Sequence, residues 1–276
     1  MNIEGKTTMG ISFTVLSSGS TGNATVIRGG GKTLMIDAGL SAKRIDELMA
    51  MREMKGDELA GILVTHEHSD HIKGLGAVAR KYNLPIYANT NTWGAIEKSI
   101  GSIEEHNRHT LETGEHLDFG DMRVESFAIS HDAAEPVGYN FYVGKEKLSV
   151  ATDLGYVSEK VRMAISDADV LVLEANHDIE MLRMGRYPWN TKRRILGDMG
   201  HLSNDAAGAA LSEILTGRTK RTYLAHLSRD HNMIDLARMS VRAAMEDRGC
   251  FYKDSEFRLC DTYYDRPTPW DTVSES

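Results

Sequence analysis

Cysteine is almost missing from this chain. Its 276 residues include two, Cys250 and Cys260, with no CxxC pair, which excludes a disulfide framework and a cysteine-rich structural zinc site. Two reduced thiols are the expectation. Long apolar runs are missing too: no stretch reaches the length of a bilayer, and the first ten residues carry no apolar signal segment. A cytoplasmic protein with no membrane partner is therefore expected. An excess of positive charge is also absent. Lys and Arg number 32 against 40 Asp and Glu, a net charge of -8, so no global field draws the chain to a polyanion and a local patch must do so. No repeat, low-complexity segment or internal linker breaks the chain, which predicts a single domain over residues 1–276. Residues 1–10 and the polar, proline-bearing stretch 266–276 are expected to be loose ends.

What is present is an alternation of short β-rich runs and helical periods. Strands are predicted at Ile11 to Leu16, at Ala24 to Arg28 with Thr33 to Asp37 (a hairpin across Gly29-Gly30-Gly31), at Gly61 to Thr65 and at Leu84 to Ala88. Further strands are His116 to Phe119, Met122 to Ile129, Val137 to Val143, Lys147 to Thr152, Val170 to Glu174 and Thr222 to Ala225. Ser41 caps a helix from Ala42 whose buried stripe is Ile45, Leu48 and Met49, and Ser203 caps Asn204 to Leu215. Ile72 to Tyr82, Thr90 to Ser99, Val157 to Ile165 and Ile234 to Asp247 also read as helices. Strands and helices mixed along the whole length predict packed α/β layers.

The densest chemistry is His66-Glu67-His68-Ser69-Asp70-His71, three imidazoles and a carboxylate on a loop that leaves an apolar strand. Such a loop holds metal ligands rigidly while facing solvent. Five further polar residues stand where a strand ends or a helix begins: His131, Asp153, Glu174, His201 and His226. Strand ends at one sheet edge converge, so the repetition itself predicts one shared site. Asp37, also ending a strand, is a candidate to orient a ligand imidazole. His177 is expected at the surface.

The series His66-x-His68-x-Asp70-His71, then His131, Asp153 and His226, resembles the ligand series of the metallo-β-lactamase superfamily. The resemblance runs from Gly22-Asn23 to His226 and implies an αββα four-layer sandwich with two divalent metal ions at one edge. Carried over position by position, His66, His68 and His131 would bind the first ion, Asp70, His71 and His226 the second, and Asp153 both. Two ions about 3.5–4 Å apart can share a bridging hydroxide and clamp the attacked and leaving oxygens of a phosphoryl centre. Imidazole and carboxylate without thiolate suits Zn, Mn or Fe. The β-lactamase branches commonly place a cysteine among the ligands; neither Cys250 nor Cys260 sits at a matching position, which argues against antibiotic hydrolysis.

Glu174-Ala175-Asn176 followed by Gly200-His201-Leu202-Ser203 resembles the Glu-then-His feature of the tRNA 3′-processing nucleases of this superfamily. It implies that His201 protonates the leaving oxygen while Glu174 orients it. Leu16-Ser17-Ser18-Gly19-Ser20-Thr21-Gly22-Asn23-Ala24, Tyr187-Pro188-Trp189 and Lys192-Arg193-Arg194 are similar to the YycJ/WalJ-type group, which is associated with 5′-exonuclease activity on DNA. Residues 183–194 point to nucleic acid without that likeness. They hold five positive charges, no acid and two aromatics, and their ends are tied near the proposed site. A cationic loop with stacking side chains suits a polynucleotide, which makes Arg183, Arg186, Trp189, Lys192, Arg193 and Arg194 candidate substrate contacts. The leading reading is a dinuclear metal-dependent phosphodiesterase with catalytic Asp70, Glu174 and His201, acting on DNA. The alternatives are a small ester, thioester or lactone hydrolase on the same metals, or a catalytically idle metal-binding regulator.

Overall fold

The structure is a computed structural model that describes residues 10–274. Among those residues two mixed sheets of seven strands face each other. The first contains β1 (Ser12–Ser17), β2 (Ala24–Gly29), β3 (Lys32–Ile36), β4 (Gly61–Leu63), β5 (Ile86–Ala88) and β6 (Arg108–Thr110), with β14 (Asp271–Thr272) beside β1. The second contains β7 (His116–Phe119), β8 (Met122–Ala128), β9 (Val137–Val143), β10 (Glu146–Ala151), β11 (Val170–Glu174), β12 (Arg221–Ala225) and β13 (Arg258–Asp261), in the order β13-β12-β11-β10-β9-β8-β7.

Strand periodicity builds the layers. Phe13 and Val15 of β1, and Val170 and Val172 of β11, enter one shared core between the sheets. Their neighbours Leu16, Leu171 and Leu173 point the opposite way into the outer cores. Helices α1 (Ala42–Ala50), α3 (Leu75–Tyr82) and α4 (Thr90–Ile96) cover the first sheet. Helices α5 (Glu159–Ile165), α8 (Asn204–Ile214) and α9 (Ile234–Glu246) cover the second. The result is the αββα sandwich. Ser41, Ser158 and Ser203 each accept a hydrogen bond from the first turn of their helix, which explains where α1, α5 and α8 begin. No described helix is long and apolar enough to cross a membrane, and both cysteines are free thiols.

Three expectations are corrected. The helix predicted from Ile72 is two pieces, α2 (Ser69–Ile72) and α3, separated at Gly74. A Cβ at Gly74 would lie 1.9 Å from the Leu40 carbonyl oxygen, so the chain must bend to let these backbones touch. Of the predicted loose end, residues 266–274 are packed rather than free. β14 pairs with β1, Val15 N–H donates to Thr268 Oγ1 (3.0 Å), and Val273 is buried in the central core. Residues 1–9 and 275–276, the rest of the expected loose ends, lie outside the described residues. Finally, the cationic loop is helical, forming α6 (Ile179–Met184) and α7 (Trp189–Ile195), because Leu182, Lys192 and Ile195 turn inward.

Candidate active site

Strand direction gathers the site. β8 and β10 both run antiparallel to β9, and β11 and β12 run parallel to β10, so all four end at one edge of the second sheet. Those ends carry His131, Asp153, Glu174 and His226. The sheets are joined there by Tyr139 Oη donating to Val64 O (2.7 Å), which sets the His66–His71 loop opposite them. Three of the turning residues, Asp37, Asp153 and His226, hold left-handed backbone angles (φ 57°, 60° and 55°). Such angles cost non-glycine residues roughly 1–3 kcal/mol each, and they aim these side chains inward.

A network of acceptors fixes the imidazoles. His71 Nδ1 donates to Asp37 Oδ2 (2.7 Å) and His131 Nδ1 to Gly200 O (3.0 Å). His226 Nδ1 donates to Glu174 Oε1 (2.9 Å). Thr65 Oγ1 donates to Asp37 Oδ2 (2.8 Å) and so accepts from His66 Nδ1 (3.0 Å). These bonds turn all four Nε2 atoms toward a common point, where His71 Nε2 also meets Asn23 Nδ2 (3.1 Å). His131 Nε2 faces His68 Nδ1 at 3.2 Å, His71 Nε2 faces Asp153 Oδ2 at 3.3 Å, and His226 Nε2 faces Asp70 Oδ2 at 3.4 Å. His66 Nε2 is buried with no hydrogen-bond partner, and buried Asp153 Oδ2 has only the 3.3 Å approach of His71 Nε2. A buried acceptor left unpaired is costly, and imidazole nitrogens and carboxylates gathered on one point are the donor set of a divalent cation. Donor sets His66/His68/His131, His66/His71/Asp153 and Asp70/His71/His226 each lie within 4.8 Å, so the residues present fit divalent metal.

Electrostatics in the cluster follow from burial and these contacts. Burial, with the neighbouring His71, holds His66 well below the ordinary imidazole range. Burial likewise lowers His131. His226 resists burial, and the carboxylates of Asp153, Asp70 and Glu174 push it up to about 10. His71 is raised well above its usual value against its own burial by Asp153 and Asp37. Burial opposes ionisation of Glu174 too, but His201 and His226 bring it down to about 2.

His201 stands beside this cluster, not in the four rings above. Its Nδ1 donates to Glu174 Oε1 (2.9 Å), while Glu174 Oε2 accepts from the N–H groups of Leu154 (2.9 Å) and Leu202 (3.0 Å). The ring lines a cleft of about 220 Å³ with Ser20, Asn176, Arg194 and Ser228.

The six candidate substrate contacts separate. Arg194 lines the cleft, held by Asp132. Lys192 is a buried residue whose Nζ donates to Arg183 O (2.6 Å), tying α6 to α7. Arg183 pairs with Glu180 (2.8 Å). Arg186, Trp189 and Arg193 are exposed but outside the cleft lining. His177 is corrected as well: it is buried, and burial brings its imidazole down to about 4. Sequence reasoning missed Thr65, whose hydroxyl links Asp37 to two imidazoles, and Asn176, whose Nδ2 donates to His226 O (2.7 Å). A threonine before the histidine loop and an asparagine two residues after Glu174 were the available signals.

Comparison with known proteins agrees with this geometry. The beta-lactamase superfamily domain matches residues 32–227. The chain is 51% identical over 260 residues to a protein named exodeoxyribonuclease YycJ of Bacillus anthracis, covering 94% of this chain and 98% of that one. It is 43% identical over 265 residues to exodeoxyribonuclease WalJ of Streptococcus pneumoniae, covering 95% and 97%. The metallo-beta-lactamase fold protein YhfI from Bacillus subtilis superposes with a TM-score of 0.70 at 15% identity, over 94% of this chain and 99% of that chain.

Proposed function

The chain belongs to the beta-lactamase superfamily and is a metal-dependent nuclease of it; we propose that it is a dinuclear exodeoxyribonuclease that degrades DNA from the 5′ end, in the cytoplasm. His66, His68 and His131 would hold one divalent ion (Zn, Mn or Fe), Asp70, His71 and His226 the other, with Asp153 reaching both. Bound there, the ions would supply Lewis-acid neutralisation of the phosphoryl oxygens and acidify a water.

The observation that carries this reading is the Glu174–His201 pair at 2.9 Å beside the donor cluster. Glu174 holds the Nδ1 proton of His201, which leaves Nε2 to face the cleft and to protonate a departing alkoxide. A poor leaving group such as a nucleotide 3′-oxygen needs that proton. The same carboxylate fixes His226, so one buried group sets both a proposed metal ligand and the proton donor. Arg194, its charge paired with Asp132, forms part of the cleft wall.

The test uses metal-stripped protein reconstituted with Mn or Zn on 5′- and 3′-labelled DNA and RNA. Asp153→Ala and His201→Ala variants run beside it. Mononucleotide release from the 5′ end of DNA, requiring metal and both residues, is expected. Cleavage of no polymer, with turnover of thioesters or lactones, would overturn the reading.

A further inference from the structure

A groove of about 390 Å³, larger than the cleft, adjoins it. Ser228 lines both hollows, and the turn after β1 contributes Ser18 to the groove and Ser20 to the cleft, so the two share a rim. The groove carries two cation–aromatic pairs. The Arg229 guanidinium lies 4.5 Å over the Tyr264 ring, and that of Arg266 lies 3.8 Å over Tyr263. Tyr264 stands 43% exposed although its backbone is pinned: Ser17 Oγ donates to its carbonyl (2.9 Å), Ser18 N–H to that of Tyr263 (2.9 Å), and Arg44 to that of Asp265 (2.6 Å). These bonds present the rings rigidly at the rim.

The cations here are less engaged than two of the three in α7, whose Arg193 is exposed as well. Lys192 and Arg194 are engaged by Arg183 O and Asp132. Arg229 makes no ion pair among the described residues, and Arg266 meets Asp265 at 3.8 Å with both side chains half exposed, a weak bond. Asp265 is the acid in the groove lining.

We propose that this groove is the strand subsite of the enzyme. Nucleotides adjoining the scissile phosphate cross Ser228, stack a base on Tyr264 and set their phosphates against Arg229 and Arg266. The inference rests on the nuclease reading above. Rigid aromatic platforms flanked by arginines bind single strands with little sequence preference, because every base offers a face. The structure thus assigns polymer binding to the Ser228 rim of the cleft, beside the α6–α7 turn whose Tyr187 Oη donates to Asp230 Oδ2 (2.8 Å).

The test measures kcat and KM of the Mn-loaded enzyme on oligodeoxythymidylates of two to eight nucleotides over a range of salt. Wild-type KM falls with length as the groove fills. Tyr264→Ala loses that length dependence, with KM for the longest substrate raised on the order of 10-fold, whereas Tyr264→Phe keeps it. Arg229→Ala, at an exposed position that folding does not need, lowers the salt slope of KM by about 0.7, the value of one single-strand phosphate contact. Wild-type length dependence in Tyr264→Ala and an unchanged slope in Arg229→Ala would overturn the subsite while leaving the nuclease intact. A wild-type enzyme that cleaves no oligonucleotide overturns the nuclease reading, and the subsite with it.

Discussion

Replacing Glu174 by glutamine exchanges one carboxylate oxygen for an NH₂ group inside a fully buried side chain of nearly unchanged volume, so its effect reports hydrogen bonding and the lost negative charge rather than packing. The carboxylate takes four donors. Oε1 receives the Nδ1 protons of His201 and His226 at 2.9 Å each, and Oε2 receives two backbone N–H groups at 2.9 and 3.0 Å. A glutamine amide has one accepting and one donating end, so two of the four donors must meet its NH₂. Backbone amides cannot reverse their polarity, whereas imidazoles can change tautomer. The NH₂ therefore turns to the histidines. His201 then carries its proton without a carboxylate to stabilise the charged ring, and His226 points a proton where a lone pair belonged. Hydrogen bonds to a charged group contribute about 1.5–3 kcal/mol each, which makes both losses large. Loss of a positioned acid lowers kcat on DNA on the order of 10²–10⁴-fold. A phosphodiester with a nitrophenolate leaving group needs no proton and should lose far less. The assay compares kcat on both substrates at saturating metal, with bound metal measured in parallel. Equal losses at full metal content would refute the argument, because Glu174 would then act through His226 rather than through His201.

Asp37→Asn removes the acceptor shared by His71 and the Thr65 hydroxyl, and metal affinity measured by competition with a chromophoric chelator should fall 10–100-fold or so; unchanged affinity would contradict this. Chelation should lower the melting temperature and added Mn or Zn restore it, since the ions bind only where the donors converge, with about 4 kcal/mol expected at a thousandfold excess over Kd. A melting curve indifferent to metal would remove the metal centre. Thr268→Ala leaves the buried Val15 N–H without its acceptor and should cost about 1–3 kcal/mol, a drop of several degrees in Tm, whereas a loose tail would show no change. His177 has a folded-state pKa of about 4, below its unfolded value, so its neutral burial is without penalty above about pH 6.5 and stability is lost as pH falls toward 4. In metal-free protein, His177→Leu should melt with a shallower acid dependence than wild type between pH 7 and 5; parallel pH profiles would refute the assignment.

The donor cluster was legible because its signal is local. Three histidines and an aspartate within six residues, and polar side chains at the ends of apolar strands, survive without knowledge of the fold. The supporting groups were not, because they act through atoms that carry no residue signature: the Gly200 carbonyl on His131, the Leu154 and Leu202 amides on Glu174, one hydroxyl of Thr65. The two-residue β14 is too short for any period to reveal, so Pro267 and Pro269 made an anchored segment read as loose.

Charge along the chain is partly hidden for a related reason. Residues 183–194 form the densest run of positive side chains, yet Glu180, Asp132 and a carbonyl take up three of the five. Arg229 and Arg266, separated in sequence and each surrounded by ordinary composition, meet in one groove with the rings of Tyr264 and Tyr263 beneath them. Whether an arginine is free to bind a phosphate depends on which acids the fold brings to it, and a count of charges along the chain holds no information about that. Helical spacing lets Arg183 find Glu180 one turn away, whereas Asp132 reaches Arg194 only because β8 ends opposite α7. Local density therefore marks where cations are numerous, and the partner geometry decides which of them remain for substrate.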